Sequence, residues 1–427
     1  MKHDKISEKL FIKNRKKLFD ILQKGEIAII VSNINYPKNG DQFYPFRQDS
    51  DFYYLSGINE DSAVLFMLKD ENEECREDVF IKKTSEKIKL WDGPRLDKKE
   101  AEKVSGIKNV HWLDELENIG REMLSGANKL SLNLKGNRRS EQKIPSPAEI
   151  FKNRFSNFLS GFEISDISGR IHELRLVKEP EEIEMIKKAV SITKSFYFKI
   201  LNRLKPGIKE YEIEALMKKE FLFSGAEDFA FAPIVASGKN ACILHYIKND
   251  SVCRDGEILL MDFGAEYGLY PADCSRSIPV NGRYTKRQKQ IYQAVLDIFK
   301  DAKRLFRPGT TINEINNATG ELMENKLREI GLLTCEEINN ETKDQAAYKK
   351  FFPHGTTHFI GLDVHDVGGK DVPLKPGMVL SCEPGIYIEE EKLGIRIETD
   401  MLITKDGADD LMYDFPVEPE EIEKEMR

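Results

Sequence analysis

The sequence predicts an α/β N-terminal domain followed by an α+β C-terminal domain with an internal pseudo-two-fold repeat. Three observations lead to this prediction. The chain has 427 residues, more than one domain usually contains. Its first third alternates β-rich runs with charged helical stretches, and its later part contains two stretches that match each other. We expect the domains to span residues 1–171 and 172–427.

The N-terminal domain is predicted from four β-rich runs, EIAIIVS, AVLFMLKD, DVFIKK and KLSLNL. Charged stretches of helical character separate them, as expected for an α/β domain. Around Pro145 to Gly169 the pattern loosens into Pro, Ser and Gly among apolar residues. A helix signal then follows: Pro180 stands at a first-turn position beside acidic residues, and apolar residues from Ile183 to Ile200 recur at helical spacing.

The C-terminal domain is predicted to be duplicated. LKPGIKEYEI at 204–213 matches FRPGTTINEI at 306–315 with a constant offset of 102, and each predicts a loop that opens a helix. GEILLMDFG at 256–264 matches GMVLSCEPG at 377–385, with Asp262 and Glu383 six residues after the first glycine. A second strand follows in each half and carries Asp273 or Glu398. Each half therefore contributes two carboxylates.

Composition limits the class of protein. Apolar residues make up 40% and charged residues 32%, with a net charge of −8, which favours a globular protein and argues against a nucleic-acid partner. The N-terminus lacks the apolar region of a signal peptide, and no stretch approaches the roughly 18 apolar residues of a membrane span, so no membrane partner is expected. Six cysteines without a CxxC pair indicate reduced thiols and a cytoplasmic location.

Two acids close apolar strands. Asp262 and Glu383 would be buried if those strands are central, and an ionised carboxylate is costly to bury without a compensating cation or hydrogen bonds. One such acid alone would more often face solvent. Alternation along residues 395–401 places Arg396, Glu398 and Asp400 on one face, which by itself is typical of a half-buried strand with a solvated polar face.

The histidines strengthen the case for a site. Four of the seven, His245, His354, His358 and His365, lie just upstream of the acid-bearing strands, and PHGTTHFIGLDVHDVGG alone contains three of them, a density that a core or loop histidine does not explain. Four carboxylates and an imidazole suit two hard or borderline divalent ions, whose charges they would balance. Such a pair, about 3.5 to 4 Å apart, can bridge a hydroxide and polarise a carbonyl. The predicted chemistry is hydrolysis.

The chain resembles the Xaa-Pro aminopeptidases (aminopeptidase P) of the pita-bread metallopeptidase clan. The similarity runs along nearly the whole sequence, through FRQDSDFYYLSGINEDSAVLFML, LWDGPRL, ACILHY, LLMDFGAEYGLYPADCSRSIPV, PHGTTHFIGLDVHDVGG, LSCEPGIYI and GIRIETDMLIT. It implies an N-terminal domain of the creatinase/aminopeptidase P type and a pita-bread catalytic domain.

The resemblance also implies roles for individual residues. The metal ligands would be Asp262, Asp273, His358, Glu383 and Glu398, holding two divalent ions, usually Mn²⁺, with Asp262 and Glu398 as bridges. Glu383 would be the general base, and His365 would steady the scissile carbonyl. His245 and His354 would border the proline pocket, with Tyr387 and Arg396 at its edge.

The implied substrates are peptides with proline at the second position. Trp91 lies in a segment that reaches a neighbouring subunit's active site in some relatives, so a homo-oligomer, dimer or tetramer, is expected. One departure is the stretch between Tyr387 and Gly394, IEEEKL, which is shorter than in many relatives and leaves the shape of the substrate entrance open.

Two alternatives share the motifs. A prolidase has the same fold, ligands and histidines but cleaves Xaa-Pro dipeptides alone; the first-domain segment RQDSDFYYLSG favours the aminopeptidase. A methionine aminopeptidase normally lacks an N-terminal domain of this size. From a different class, a pita-bread domain can be a non-catalytic peptide-binding module, but such proteins have usually lost ligands, and all five are present here.

Overall fold

The computed structural model describes residues 4–134, 144–339 and 346–427. Two compact units divide the chain between Arg175 and Leu176, and a short N-terminal segment belongs with the second unit. The sequence placed this boundary four residues earlier. No helix in the described ranges is both long enough and apolar enough to cross a membrane.

The N-terminal unit is an α/β domain around a six-stranded sheet with strand order β6-β5-β4-β1-β7-β8. Its helices are α1 (Glu8–Ile21), α2 (Ser50–Ser56), α3 (Glu86–Asp92), α4 (Lys98–Ser105), α5 (Leu116–Ser125), α6 (Pro147–Arg154) and α7 (Ser168–Leu176). Its strands are β1 (Glu26–Val31), β2 (Pro37–Asn39), β3 (Gln42–Phe43), β4 (Val64–Lys69), β5 (Cys75–Ile81), β6 (Asn109–Trp112), β7 (Lys129–Leu132) and β8 (Ile164–Asp166).

The four β-rich runs of the sequence become the centre of this sheet. Strand β1 is buried at every position and pairs antiparallel with β4 and parallel with β7, which explains its unbroken apolar character. The loosened stretch before residue 170 is more regular than its composition indicated. Ser146 caps α6 in a capping box with Glu149, and Phe151 packs into the core of the sheet.

The C-terminal unit contains the remaining elements. Its helices are α8 (Pro180–Leu201), α9 (Glu210–Phe223), α10 (Lys286–Lys303), α11 (Ile312–Glu329), α12 (Cys335–Asn339) and α13 (Pro419–Glu425). Its strands are β9 (Asp228–Phe229), β10 (Ile234–Ser237), β11 (Ile258–Phe263), β12 (Ala265–Tyr267), β13 (Tyr270–Pro271), β14 (Cys274–Pro279), β15 (Phe359–Ile360), β16 (Val379–Cys382), β17 (Gly385–Ile388), β18 (Leu393–Arg396), β19 (Thr399–Ile403) and β20 (Ala408–Asp410).

The duplication is visible in the order of these elements. The first half provides helices α8 and α9 and an antiparallel sheet β10-β11-β14; the second provides α10 and α11 and the sheet β15-β16-β19-β20. Helices α9 and α11 both follow a Pro-Gly turn in which Gly207 and Gly309 have φ of 95° and 90°, values that favour glycine. These elements confirm the pita-bread class and its internal repeat.

Each half presents its two acids at corresponding places. Asp262 lies in β11 and Asp273 just before β14, while Glu383 follows β16 and Glu398 precedes β19. The alternation at residues 395–401, taken by itself, is typical of a solvated polar face, but the structure has no such face there. Strand β18 ends at Arg396, β19 begins at Thr399, and every residue from 395 to 401 is buried, so both faces are covered.

Candidate metal centre

Three proposed ligands converge closely. Asp273, His358 and Glu398 each place one ligand atom within 4.8 Å of the others. The Nε2 atom of His358 lies 3.3 Å from Oδ2 of Asp273 and 3.6 Å from Oε1 of Glu383. The strand ends of both halves therefore meet at one imidazole nitrogen.

Asp262 is connected to this group through Arg396. The Arg396 Nη2 donates to Asp262 Oδ2 at 2.7 Å, and Nε donates to Ser275 Oγ at 2.7 Å. Ser275 in turn donates to Glu398 Oε2 at 2.6 Å. The other oxygen of Asp262, Oδ1, is buried and has no hydrogen-bond partner among the described residues. A buried carboxylate oxygen without a donor is suited to a cation.

The ring of His358 is oriented by its own surroundings. Its Nδ1 lies 3.1 Å from the carbonyl oxygen of Phe359, and its backbone N–H donates to Ser381 Oγ at 3.0 Å. Because a carbonyl can only accept, the proton is assigned to Nδ1. The Nε2 lone pair then faces the carboxylates, which is the arrangement that a metal-binding histidine requires.

The carboxylates raise one another's pKa. Burial raises the pKa of Asp273 well above its usual value, and the charges of Asp262 and Glu383 raise it further. Burial has the same effect on Glu398, with Asp273 adding to it, and burial also raises the pKa of Glu383. So many acids crowded together need positive charge, and the donor set of carboxylates and imidazole fits hard or borderline divalent ions.

A hydrogen-bonded chain lies beside the acids. Arg396 Nη1 donates to Tyr387 Oη at 2.9 Å, and Tyr387 Oη lies 2.8 Å from His354 Nε2. His354 Nδ1 lies 2.8 Å from the carbonyl of Gly355, so Nδ1 holds the proton and Nε2 accepts from the tyrosine. Burial, helped by the charge of Arg396, lowers the pKa of His354 to about 3. This imidazole is therefore neutral at neutral pH.

The other two histidines proposed for the site, His245 and His365, are exposed. The ring of His365 lies 4.3 Å from that of His358 and perpendicular to it. His245 follows β10 on a loop, close enough for its charge to lower the pKa of His354. The five proposed ligands, the three other histidines of this site, Tyr387 and Arg396 thus lie at or beside one place in the C-terminal unit.

Three further residues support the site, and no role was predicted for them from the sequence. Ser275 links Arg396 to Glu398, Ser381 accepts from the backbone of His358, and Asp400 accepts from the backbone N–H of Asp273 at 3.3 Å. Asp400 is fully buried, and burial raises its pKa. The alternation placed Asp400 on the same face as Glu398, but this pattern alone did not indicate a role in the site.

The class of protein follows from the domain matches. Residues 184–405 match metallopeptidase family M24, and residues 11–132 match the aminopeptidase P N-terminal domain. The first match covers more than half of the chain and includes every residue of the site described above.

Full-length relatives narrow this class. The chain is 35% identical to the Xaa-Pro aminopeptidase of Escherichia coli K12, over 99% of this chain and 98% of that protein. The structure of E. coli aminopeptidase P with the inhibitor Pro-Leu superposes with a TM-score of 0.90, at 33% identity and 99% coverage of both chains. A zinc-substituted E. coli aminopeptidase P with product gives 0.88 at the same identity and coverage. The chain belongs to the Xaa-Pro aminopeptidases of metallopeptidase family M24, and it is a metal-dependent aminopeptidase.

Proposed function

We propose that this enzyme removes the first residue from peptides whose second residue is proline, and that it works with two divalent ions, Mn²⁺ in the cell. The observation that carries the proposal is the convergence of carboxylates on Nε2 of His358, in a group of acids whose pKa values are raised by burial and mutual repulsion. Asp262, Asp273, His358, Glu383 and Glu398 would hold the ions, with Asp262 and Glu398 as bridges. When bound, two such ions activate water and polarise a carbonyl.

The surrounding side chains divide the remaining work. Glu383 acts as the general base, because its carboxylate can accept a proton from the attacking water and burial raises the pKa of this group above its usual value. His365, exposed and next to His358, donates to the developing negative charge of the scissile carbonyl oxygen. His354, held neutral between Tyr387 and Gly355, forms one wall of the proline pocket.

Proline selection has a physical basis. The Xaa-Pro bond is a tertiary amide without an N–H, and its ring is rigid, so a pocket can select it by shape. His245 and His354 would line this pocket, while Tyr387 and Arg396 would hold His354 in place.

Cleavage beyond dipeptides is favoured by one relative. Pro-Leu, the inhibitor bound in the E. coli structure, is what remains when an Xaa-Pro-Leu tripeptide loses its first residue. A prolidase would release free proline instead. A non-catalytic binding module is disfavoured, since all five ligands are present and gathered.

Release of the first amino acid tests the proposal. Xaa-Pro-Yaa tripeptides and matching Xaa-Pro dipeptides would be compared with Mn²⁺ present and with chelator as the control. We expect turnover of the tripeptides, loss of most of kcat/KM when alanine replaces proline, and no cleavage after N-acetylation. If only the dipeptides are cleaved, the enzyme is a prolidase and this proposal is wrong.

We also propose a homo-oligomer, a dimer or tetramer, in the cytoplasm. Helix α3 has no buried residue, and its Leu90 and Trp91 side chains are 81% and 76% exposed, which favours a partner over this surface. All six cysteines are free thiols, in keeping with a reducing compartment. Sedimentation of the wild type beside Trp91→Ala tests the assembly: identical monomeric profiles would contradict it.

A further inference from the structure

The loop that carries His245 has little regular structure of its own. We call residues 238–251 the His245 loop. It opens with a 3-10 turn at Gly238–Cys242 and then continues without helix or strand. Ile243, His245 and Ile247 are all exposed. The position of His245 must therefore be set by side-chain contacts with the rest of the unit.

One buried carboxylate, that of Glu210, makes several of these contacts. Glu210, the first residue of α9, is fully buried. Its Oε1 accepts from the backbone N–H and the hydroxyl of Ser237, at 2.8 and 2.9 Å, and from Asn240 Nδ2 at 3.0 Å. Its Oε2 accepts from Tyr246 Oη at 2.8 Å and from the backbone N–H of Ser251 at 2.9 Å. The five donors come from Ser237, directly before the loop, from both ends of the loop and from the neighbour of His245.

The five donors favour an ionised carboxylate at Glu210. All five are neutral groups, and a carboxylate can accept from all of them, whereas a glutamine amide would direct N–H groups at other donors. The position at the first turn of α9 also suits a negative charge. The backbone N–H of Glu210 donates to the carbonyl of Ser251 at 3.0 Å, which closes the loop against the helix.

The same loop packs against the candidate site. Tyr246 and Ala241 share an apolar cluster with Leu260 and Tyr387, and Tyr387 is the residue that holds His354. The carbonyl oxygen of Ala241 lies so close to Gly394 that a Cβ added there would meet it at 2.2 Å. A shift of the loop would therefore move His245 relative to the His354 side of the pocket.

We propose that Glu210 is a positioning residue for the proline pocket, which it serves by holding the His245 loop and so the imidazole of His245. Glu210 touches no reacting group. This inference rests on the proposed function, in which His245 borders that pocket.

Kinetics of Glu210→Gln test the inference, with Glu182→Gln as the matched control. Glu182 is also buried in the first turn of a helix, α8, and accepts from a tyrosine, Tyr270, at 3.0 Å, away from the loop. We expect Glu210→Gln to lower kcat/KM for an Xaa-Pro-Yaa peptide by about 10- to 100-fold, because small displacements of a binding group have effects of this size. The control should stay within about twofold of wild type, and both should keep full Mn²⁺ content.

A double-mutant cycle separates positioning from a general effect on the fold. In the His245→Ala background, Glu210→Gln should cost less than about twofold, because the group it positions is absent. The same loss with and without His245 would overturn the inference.

Hydrogen exchange provides a readout that does not depend on activity. Amides of the His245 loop should exchange faster in Glu210→Gln than in wild type or Glu182→Gln, while helix α10 stays unchanged. Unaltered exchange in the loop would overturn the inference. If Glu210→Gln does not fold, Glu210→Asp, which keeps the charge but shortens the reach, is held to the same expectations. A wild type that fails to cleave Xaa-Pro-Yaa would defeat the proposed function, while exchange would still test whether Glu210 holds the loop.

Discussion

The two units neutralise their buried carboxylates in different ways. In the N-terminal unit, Asp51 bonds to Arg175 at 2.7 Å, with His172 at 3.3 Å, and Asp61 bonds to Arg95 at 2.6 Å. Burial alone would raise the pKa values of Asp51 and Asp61, but these partners hold both below the usual value. Each charge is balanced by the protein itself.

In the C-terminal unit the acids of the site accumulate instead. The pKa values of Asp273, Glu383 and Glu398 are raised by burial and, in part, by one another. Arg396 bonds Asp262, but its single charge faces four carboxylates. A buried acid with its own cation is a structural device, whereas a group of acids short of cations is a place for ions from outside. This difference can be tested by removing acids from each unit.

The largest effect is expected at a bridging ligand. Asp262→Ala or Glu398→Ala should abolish turnover and cost at least one metal per chain while the fold survives, because a two-metal site depends on its bridges. Metal analysis and peptide assay would be run beside Asp409→Ala, which removes an exposed acid from β20. Full metal content with near-normal activity would refute the assignment.

In the N-terminal unit, loss of an acid should cost stability and leave metal binding intact. Asp51→Asn leaves the buried Arg175 without its carboxylate, and breaking a buried ion pair typically costs about 3 to 5 kcal/mol of unfolding free energy. Urea unfolding measures this loss, with the exposed Asp41→Asn as control. A variant that is as stable as wild type, or one that loses metal, would contradict the proposed difference between the acids of the two units.

His365 tests the boundary between ligand and catalytic group. His365→Ala should lower kcat by about 10²- to 10³-fold, the usual cost of losing a donor to a developing oxyanion, with metal content almost unchanged. Steady-state kinetics and metal analysis on the same preparation check this. If the variant instead purifies without metal, His365 is a ligand. The distinction between His358 as the ligand and His365 as the catalytic group would then be wrong.

The smallest effect concerns pH and the metal-free enzyme. The acids of the site have raised pKa values when folded, so between about pH 4 and those values the folded state holds more protons than the unfolded one. Stability should therefore fall as pH rises through this window. Asp51 and Asp61, whose pKa values are lowered, contribute stability above about pH 4 that is lost as pH falls below it.

Melting temperatures from about pH 4 to 8 measure both trends in chelator. Glu398→Gln should flatten the decline toward neutral pH and raise the melting temperature of the metal-free protein by a few degrees, since it removes one repelling charge while keeping the shape. Added Mn²⁺ should reverse the order of variant and wild type. The same pH dependence in both proteins would show that repulsion at the site is unimportant.

Much of the fold was accessible from the sequence because its signals are local. Strand β1 is a continuous apolar run, α8 begins at a proline beside acids, and the matching Pro-Gly turns place α9 and α11. Helix α6 was not predicted. The Pro, Ser and Gly residues around it indicated an irregular stretch, although Ser146 begins a capping box.

The proposed ligands of the site could be predicted from the sequence, but the residues that hold them in place could not. The ligands stand in motifs, whereas Ser275 meets Glu398 across 123 residues and Glu210 meets Ser251 across 41. No local pattern reports such pairings. Alternation also misjudged Arg396 and Glu398, because it cannot tell a solvated face from one covered by the other half of the unit.

The duplicated design has a consequence for biosynthesis. Ribosomes make the N-terminal part of a chain first, and Asp262 and Asp273 emerge more than 100 residues ahead of Glu383 and Glu398. A nascent chain with the first half complete has two of the four carboxylates and lacks His358. If the sheet β10-β11-β14 folds at that stage, it does so without help from the complete site, and the proposed metal site cannot be complete until Glu398 has been made.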